Sequence, residues 1–466
     1  MAEERYGSTV NQEKPSVRVD FIHQVQTFGD STTLHGIQYV TGEKIHVIRR
    51  LFWILVALTS IIWGGVSIYR YFRQYQKFNI STKVTIEYNE SMTFPAMTFC
   101  NLNQWSRNKS VKATIDMLSR IYALDQEDRN EFNWTAFYIG IDVAYGDLPN
   151  ITDIALSPLG AYTSEEMIKE CVWNGVEKCG HQNFTTMITD LGVCYTFNNP
   201  SNVEDALVVN KPGIDNGLTL TLDIKQDDYI LGEFQGAGIK VVLHPHGERP
   251  LMKEVGFAVS PGFETLVGIK HIKSTSVPLP YSSNCTDEGL KYSKVYTVPL
   301  CLHECKVDHV TGLCGCRDYR YPNESSETEC GPEEMYNCTI PKEKQFTKMI
   351  NCNCNIPCSS ETYEGRLSFS YWPGLPASLQ LKEIYPEYPD RTSQRENLLR
   401  MKLYYEELSY TNVEQFPAYT LADLGSDVGG TLGLLCGMSL ITVIEFLDFF
   451  ALMLLRYVNT RSSQTK

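Results

Sequence analysis

Two long apolar runs, with nearly every cysteine of the chain confined between them, constrain this fold more than any other feature. Residues 51–69 (LFWILVALTSIIWGGVSIY) carry no charge over 19 positions, about what a hydrocarbon core of roughly 30 Å asks of a helix. Residues 432–455 (LGLLCGMSLITVIEFLDFFALMLL) are also long enough to span, yet they hold two acids, Glu445 and Asp448, ahead of Arg456. Fourteen of the fifteen cysteines lie between the runs, from Cys100 to Cys358, and Cys436 sits within the second run. A dense, even cysteine set is what an oxidising compartment permits and what a thin core needs.

Residues 1–33 are polar and lack an apolar stretch followed by small residues, so the first run is expected to be its own membrane-targeting signal. Lys44, Arg49 and Arg50 precede the first run, and Arg456, Arg461 and Lys466 follow the second, which favours cytoplasmic termini. Arg70, Arg73 and Lys77, just beyond the first run, act against that bias. All nine Asn-X-Ser/Thr sequons fall between the runs, at Asn79, Asn89, Asn108, Asn133, Asn150, Asn183, Asn284, Asn323 and Asn337, where glycosylation requires a lumenal side. The formal net charge of -14 argues against a nucleic-acid partner, leaving solubility or cation attraction as its use.

These features divide the chain into a cytoplasmic segment 1–50, a first span 51–71, an extracellular domain 72–425, a second span 426–456 and a cytoplasmic tail 457–466. Within the large domain, residues 217–224 (GLTLTLDI) and 237–244 (AGIKVVLH) alternate as strands do, and the mixed pattern of 397–408 (NLLRMKLYYEEL) is compatible with a third. Cys100, Cys171, Cys179 and Cys194 are spread out, whereas ten cysteines crowd between Cys285 and Cys358, which suggests a stapled subdomain. No repeat or low-complexity linker divides the domain, so it reads as one multi-lobed α+β ectodomain.

A charge at mid-bilayer costs roughly 2.5–3.5 kcal/mol and usually faces water or a bundle interior, so Glu445 and Asp448 suggest an ion pathway. On an unbroken helix, Gly433, Gly437, Ile441, Glu445 and Asp448 share one stripe and Ser439 points elsewhere. A polar path that includes Ser439 therefore needs a break, and Gly437-Met438-Ser439 is its natural place, because irregular backbone at membrane depth is tolerated where it lines a cavity. The competing reading has Gly429, Gly433 and Gly437 serving only close helix packing while the acids snorkel. Cys305, His309, Cys314 and Cys316 invite a zinc reading, which an extracellular position disfavours against disulfides. His244 and His246 around Pro245 are either a surface metal or proton site or simply solvated, and Asp227-Asp228 either share a proton or form an exposed acidic turn.

With the acidic second run and the cysteine-rich loop in place, the chain resembles the degenerin/epithelial sodium channel family, particularly its acid-sensing branch, from about Phe28 to Asp448. The landmarks are STTLHG (31–36), FPAMTFCNLN (94–103), CYTFN (194–198), PGFETLVGI (261–269) and the GMS-containing helix. The resemblance implies a trimer of identical or homologous subunits, each with two membrane helices and a β-centred ectodomain of palm, ball, finger, knuckle and thumb. It implies disulfides Cys100–Cys194, Cys171–Cys179, Cys285–Cys358, Cys301–Cys354, Cys305–Cys352, Cys314–Cys338 and Cys316–Cys330. It also implies a plasma-membrane, amiloride-sensitive, sodium-preferring channel with no cofactor, in which Gly437, Met438 and Ser439 form the selectivity belt beside the His35-Gly36 re-entrant segment.

Met438 is bulkier than the residue usual at the middle of that belt, so selectivity is open to change. Asp227, Asp228 and Lys211, with the wrist aromatics Phe78 and Tyr281, match gating positions. The acidic pocket is otherwise depleted: Gln104 and Thr219 stand where acid-sensing members often have Glu, Lys402 replaces an Asp, Ile80 lies near the place of a histidine, and Glu343 is the one acid between Cys338 and Cys352. Extracellular protons or a neuropeptide are the expected stimuli. The alternatives are an ATP-gated-type trimeric channel, a non-conducting receptor subunit, or an ectoenzyme using the Gly-rich DLGSDVGG (423–430), against which its membrane-edge position counts.

Overall fold

A computed structural model describes residues 27–29, 31–32, 34–42, 45–110, 112–121, 133, 135, 151, 160–322, 327–346 and 352–464. Asn150 and Asn323 of the sequons, and Lys44 and Lys466 of the basic flanks, lie outside them. The principal helices are α1 Val47–Tyr75, α2 Lys112–Ile121, α3 Val298–Cys314, α4 Ile340–Phe346, α5 Leu375–Ile384, α6 Arg391–Asn397, α7 Leu421–Cys436 and α8 Leu440–Gln464. The chain divides into a helical unit (Met1–Ser81, Pro280–Ser282, Pro417–Lys466) and a β-rich unit (Thr82–Leu279, Ser283–Phe416).

In the helical unit, α1 is long and apolar enough to cross a membrane, and at 29 residues it outruns the apolar core 51–69 at both ends. The extensions carry Arg49 and Arg50 at one end and Arg70 and Arg73 at the other. Gly64 is the buried residue of α1; a Cβ there would stand 3.6 Å from Leu435 of α7, so the missing side chain lets the two helices approach. Helices α7 and α8 are long and apolar enough to cross a membrane only when taken together, and they are bent by 73° at the break between them.

The β-rich unit contains strands β1 Ile80–Tyr88, β2 Met92–Thr93, β3 Ala96–Asn101, β4 Ile168–Trp173, β5 Glu177–Cys179, β6 Phe184–Thr189 and β7 Gly192–Phe197. These are followed by β8 Val208–Val209, β9 Gly217–Asp223, β10 Ile239–His244, β11 Phe257–Val259, β12 Phe263–Thr275, β13 Ser359–Tyr371 and β14 Leu398–Pro417. Seven form one sheet, ordered β13-β12-β14-β9-β4-β5 with β1 on β14; five form a second, β11-β10-β3-β7-β6; and β2 pairs β8. The three sequence segments read as strands fall on β9, β10 and β14. One apolar core draws on both large sheets, with Phe94, Phe99, Leu220, Ile239 and Tyr405 completely buried. Each such side chain contributes about 1.5–3 kcal/mol by leaving water.

The segment with ten cysteines is built differently. Helix α3 opens on Thr297, whose side chain accepts from Leu300 N–H, and closes on left-handed Gly315 (φ 71°). Cys301 and Cys305, one turn apart on α3, bond Cys354 and Cys352; Cys314–Cys338, Cys316–Cys330 and Cys285–Cys358 complete the staples. With Cys100–Cys194 and Cys171–Cys179, these are the seven pairs that the resemblance implies. The cysteines read as possible zinc ligands are thus consumed in disulfides, and the described residues hold no group of three or more potential metal ligands.

Candidate ion pathway and gating residues

The break between α7 and α8 is capped from both sides. Gly437 adopts φ 67°, and the N–H groups of Gly437 and Met438 donate to the carbonyls of Gly433 (3.0 Å) and Leu432 (3.2 Å), closing α7. Only glycine takes that conformation without strain, and a Cβ there would also stand 2.5 Å from the His35 ring. On the other side, Ser439 Oγ accepts from Thr442 N–H (3.4 Å) while Ser439 N–H donates to Thr442 Oγ1 (3.0 Å), a reciprocal cap that starts α8. The continuous stripe through Gly433, Gly437 and Glu445 is therefore replaced by two helix segments with Met438 and Ser439 in the irregular backbone between them.

The N-terminal segment lies along this break. His35 N–H donates to the Cys436 carbonyl at 2.9 Å, and Gly36 adopts φ 81° where a side chain would strike Trp53. Thr32 Oγ1 donates to Glu445 Oε2 at 3.2 Å, and Phe28 stacks on Phe449 with ring centres 4.4 Å apart. Glu445 is thus engaged, whereas Asp448, three residues on, is exposed, as is Ser439. The Thr32 contact escaped the sequence reading although Thr32 belongs to STTLHG, because its partner is 413 residues away. In the same unit, Phe78 (φ 46°) meets the Tyr281 ring edge-on at 5.7 Å, bringing the two wrist aromatics together.

Asp227 and Asp228 close a 3₁₀ turn, but they do not serve one site. Asp228 accepts from Ser106 Oγ and from Asn108 N–H (2.7 Å), and Asp227 accepts from Asn397 Nδ2 (3.3 Å). The shared-proton reading gives way to two carboxylates that hold separate pieces of chain. Gln104 donates to the Asn101 carbonyl (2.5 Å), and Lys402 pairs with Glu264 (3.7 Å). Glu343 binds Arg320 (3.0 Å) and Lys306 (3.3 Å); burial alone would raise its pKa, but Arg320, Lys253 and Lys306 hold it down to about 2. Lys211 is exposed in the loop between β8 and β9.

His244 is not a surface residue: it is buried at the end of β10, with Nε2 2.8 Å from Thr98 Oγ1, and burial lowers its pKa to about 4. His246 lies half-buried 3.3 Å from Asn198 Nδ2. Among the described sequons, Asn79, Asn89, Asn108, Asn133, Asn183 and Asn337 are exposed and Asn284 is half-buried.

With a long apolar helix, a second helix pair broken at a doubly capped bend and a disulfide-stapled β-rich unit, the chain is similar among known proteins to ion channels and not to enzymes. The chain belongs to the amiloride-sensitive sodium channel family, whose sequence model matches residues 28–449. Acid-sensing ion channel 2 of Rattus norvegicus is 29% identical over 442 residues, covering 91% of this chain and 85% of the relative. Acid-sensing ion channel 1 of Gallus gallus is 29% identical over 444 residues, with coverage of 91% and 83%. The bile acid-sensitive ion channel of Rattus norvegicus is 29% identical over 461 residues, with coverage of 96% and 90%.

Proposed function

We propose that the chain is one subunit of a trimeric, sodium-preferring, amiloride-sensitive cation channel of the plasma membrane, opened by an extracellular ligand. Both termini are cytoplasmic, α1 is the first span, the bent pair α7–α8 is the second, and the β-rich unit is the glycosylated ectodomain. The observation that carries the reading is the capped break at Gly437-Met438-Ser439. It leaves backbone carbonyls and the Ser439 hydroxyl outside regular helix, where they can replace part of an ion's hydration shell. Glu445 and Asp448 follow on α8, and their charge favours cations over anions. The bond from His35 N–H to the Cys436 carbonyl holds the N-terminal segment beside the break.

Protons and neuropeptides are the candidate stimuli, and the depleted acidic pocket counts against protons. Asp227 and Asp228 are spent as turn partners, and Lys402 occupies an acid's place, so little of a shared acidic pocket remains. The test is expression of the chain alone in oocytes, with steps of external pH, amidated peptides and a bile acid, and amiloride as the check. An amiloride-blocked inward current that changes selectivity in Ser439→Cys and conductance in Asp448→Asn is the expected result. Currents unchanged in both variants overturn the assignment of the ion path.

A further inference from the structure

Two of the nine sequons carry a cysteine in the middle, Asn284-Cys285-Thr286 and Asn337-Cys338-Thr339, and both fall in the stapled segment. In each the fold consumes that cysteine, Cys285 with Cys358 and Cys338 with Cys314. The Asn89-Glu90-Ser91 sequon is the opposite case. It has no cysteine, and all three of its residues are exposed between β1 and β2, the surface-loop setting that a glycan acceptor asks for.

Asn337 lies in a helical stretch, with a first turn Pro332–Glu334, a wider π turn Met335–Thr339 and then α4. Asn337 is exposed, whereas Thr339, two residues on, is completely buried. The Thr339 hydroxyl is placed to donate to the Met335 carbonyl (3.3 Å) or to Asp318 Oδ2 (3.5 Å), and Asp318 is itself buried and gripped by Arg320. Cys338 is half-buried and bonded to Cys314, the last residue of α3. In the other cysteine sequon, Asn284 is half-buried at φ 45°; Thr286 N–H donates to the Ile356 carbonyl (2.9 Å), and the Thr286 carbonyl accepts from Cys358 N–H (3.2 Å). A glycan acceptor must offer both the Asn amide and the hydroxyl two residues on. Folded Asn337 offers only the amide.

We propose that Asn337 is a glycosylation site with a time limit: it takes its glycan while Cys338 is a thiol and cannot take it once Cys314–Cys338 has closed. The transfer joins C1 of the first sugar to Asn337 Nδ2 and breaks the C1–O bond of a polyprenyl-diphosphate donor. The diphosphate leaves with the electron pair, and the amide proton passes to a base of the transferase. The competing step converts the Cys314 and Cys338 thiols into one disulfide, with two electrons and two protons passing to a protein disulfide of the secretory pathway, which is reduced to its dithiol. That bond ties residue 338 to the end of α3 and lets Thr339 settle against Asp318, so oxidation forecloses transfer. The reverse does not hold, because Asn337 is exposed while its neighbour Cys338 reaches α3, and a glycan leaves the disulfide free to form. Subunits therefore emerge in two forms, both with the bond and one with a glycan on this helix. Asn284 is under the same limit through Cys285–Cys358, and Asn89 is not. The inference rests on the extracellular placing of the β-rich unit and deepens it by sorting the sequons.

The experiment expresses the full-length chain in a glycosylating cell and reads each sequon by mass spectrometry, after enzymatic release of the glycans in heavy-oxygen water marks every occupied Asn. Wild type is expected to be partly occupied at Asn337 and fully at Asn89. Cys314→Ser keeps the Asn337 sequon intact but removes the partner thiol, and it is expected to raise occupancy at Asn337 several-fold with Asn89 unchanged. A small dithiol reductant given to cells during synthesis of wild type is expected to do the same. The reading is taken on total chain, so it does not depend on the variant folding. Equal occupancy at Asn337 in wild type, in Cys314→Ser and under reductant overturns the time limit, whether that occupancy is full or nil. A bare Asn89 together with every other sequon bare would overturn the extracellular placing itself, and the time limit with it.

Discussion

Two parts of the β-rich unit are held together by different physics. The paired sheets bury large apolar side chains completely, with Phe94 set edge-on against Trp173 (4.9 Å) and Tyr405 (6.2 Å), and two disulfides suffice there. The segment 285–358 has a small apolar cluster of Tyr292, Val307, Val310 and Tyr321, and it carries five disulfides and a buried ionic network. In that network Arg320 grips Asp318 through Nε (3.0 Å) and Nη2 (2.8 Å) and reaches Glu343. Where the chain cannot bury enough apolar surface, covalent links and paired charges take over.

The sharpest way to break this contrast is to strike each part with the other's characteristic lesion. Phe94→Ala should cost roughly 3–5 kcal/mol, since a large cavity opens among close-packed rings. Denaturant unfolding, together with surface expression, reads it. A loss under about 1 kcal/mol would mean that the sheets are not the apolar anchor. Removing Cys301–Cys354 together with Cys305–Cys352, which link the same two stretches, as the fourfold serine variant should cost about 3 kcal/mol, because with Cys285–Cys358 intact the pair closes a further loop of roughly 20 residues in the unfolded chain. Removing Cys171–Cys179, which spans only 8 residues, should cost less. Equal losses would show that native-state strain, and not loop closure, sets the value of these bonds.

The same contrast explains what could be read from the sequence. The confinement and crowding of the cysteines are one-dimensional facts, and they located the stapled segment. The period-2 runs on β9 and β10 were visible for the same reason, and Gly437 marked the helix break because a positive φ at a helix end favours glycine. What escaped the sequence depends on partners far along the chain. Asp228 looks like half of a proton pair until Ser106, 122 residues away, takes its carboxylate. The bond between His271 and Glu361 of β13 has no local signal, since the two lie 90 residues apart. His244 looked loop-like beside Pro245, yet it is the buried last residue of β10, satisfied by Thr98.

Acid should separate the two parts further. Glu343 is held at about 2 against an ordinary 4.5, so it contributes stability that is fully present above pH 4.5 and is lost as pH falls toward 2. The displacement corresponds to roughly 3 kcal/mol. Stability measured from pH 6 down to about 3 should fall more steeply in wild type than in Glu343→Gln, which starts lower because Arg320 and Lys306 lose their partner. Parallel curves would show that Glu343 does not hold the segment.

The smallest expected effect tests whether local signals matter at all inside the stapled segment. Thr297 accepts from Leu300 N–H at 3.3 Å and opens α3, so Thr297→Ala removes one cap, which costs about 1 kcal/mol in an ordinary helix. Cys301 follows within the first turn, and its bond to Cys354 already restrains this end of the helix. If covalent links dominate, the cap should matter more after the Cys301–Cys354 bond is removed than before, and a double-mutant cycle reads that coupling directly. Strict additivity would mean that cap and disulfide act on separate steps of folding, and that the division between packed sheets and stapled helices is less sharp than the geometry implies.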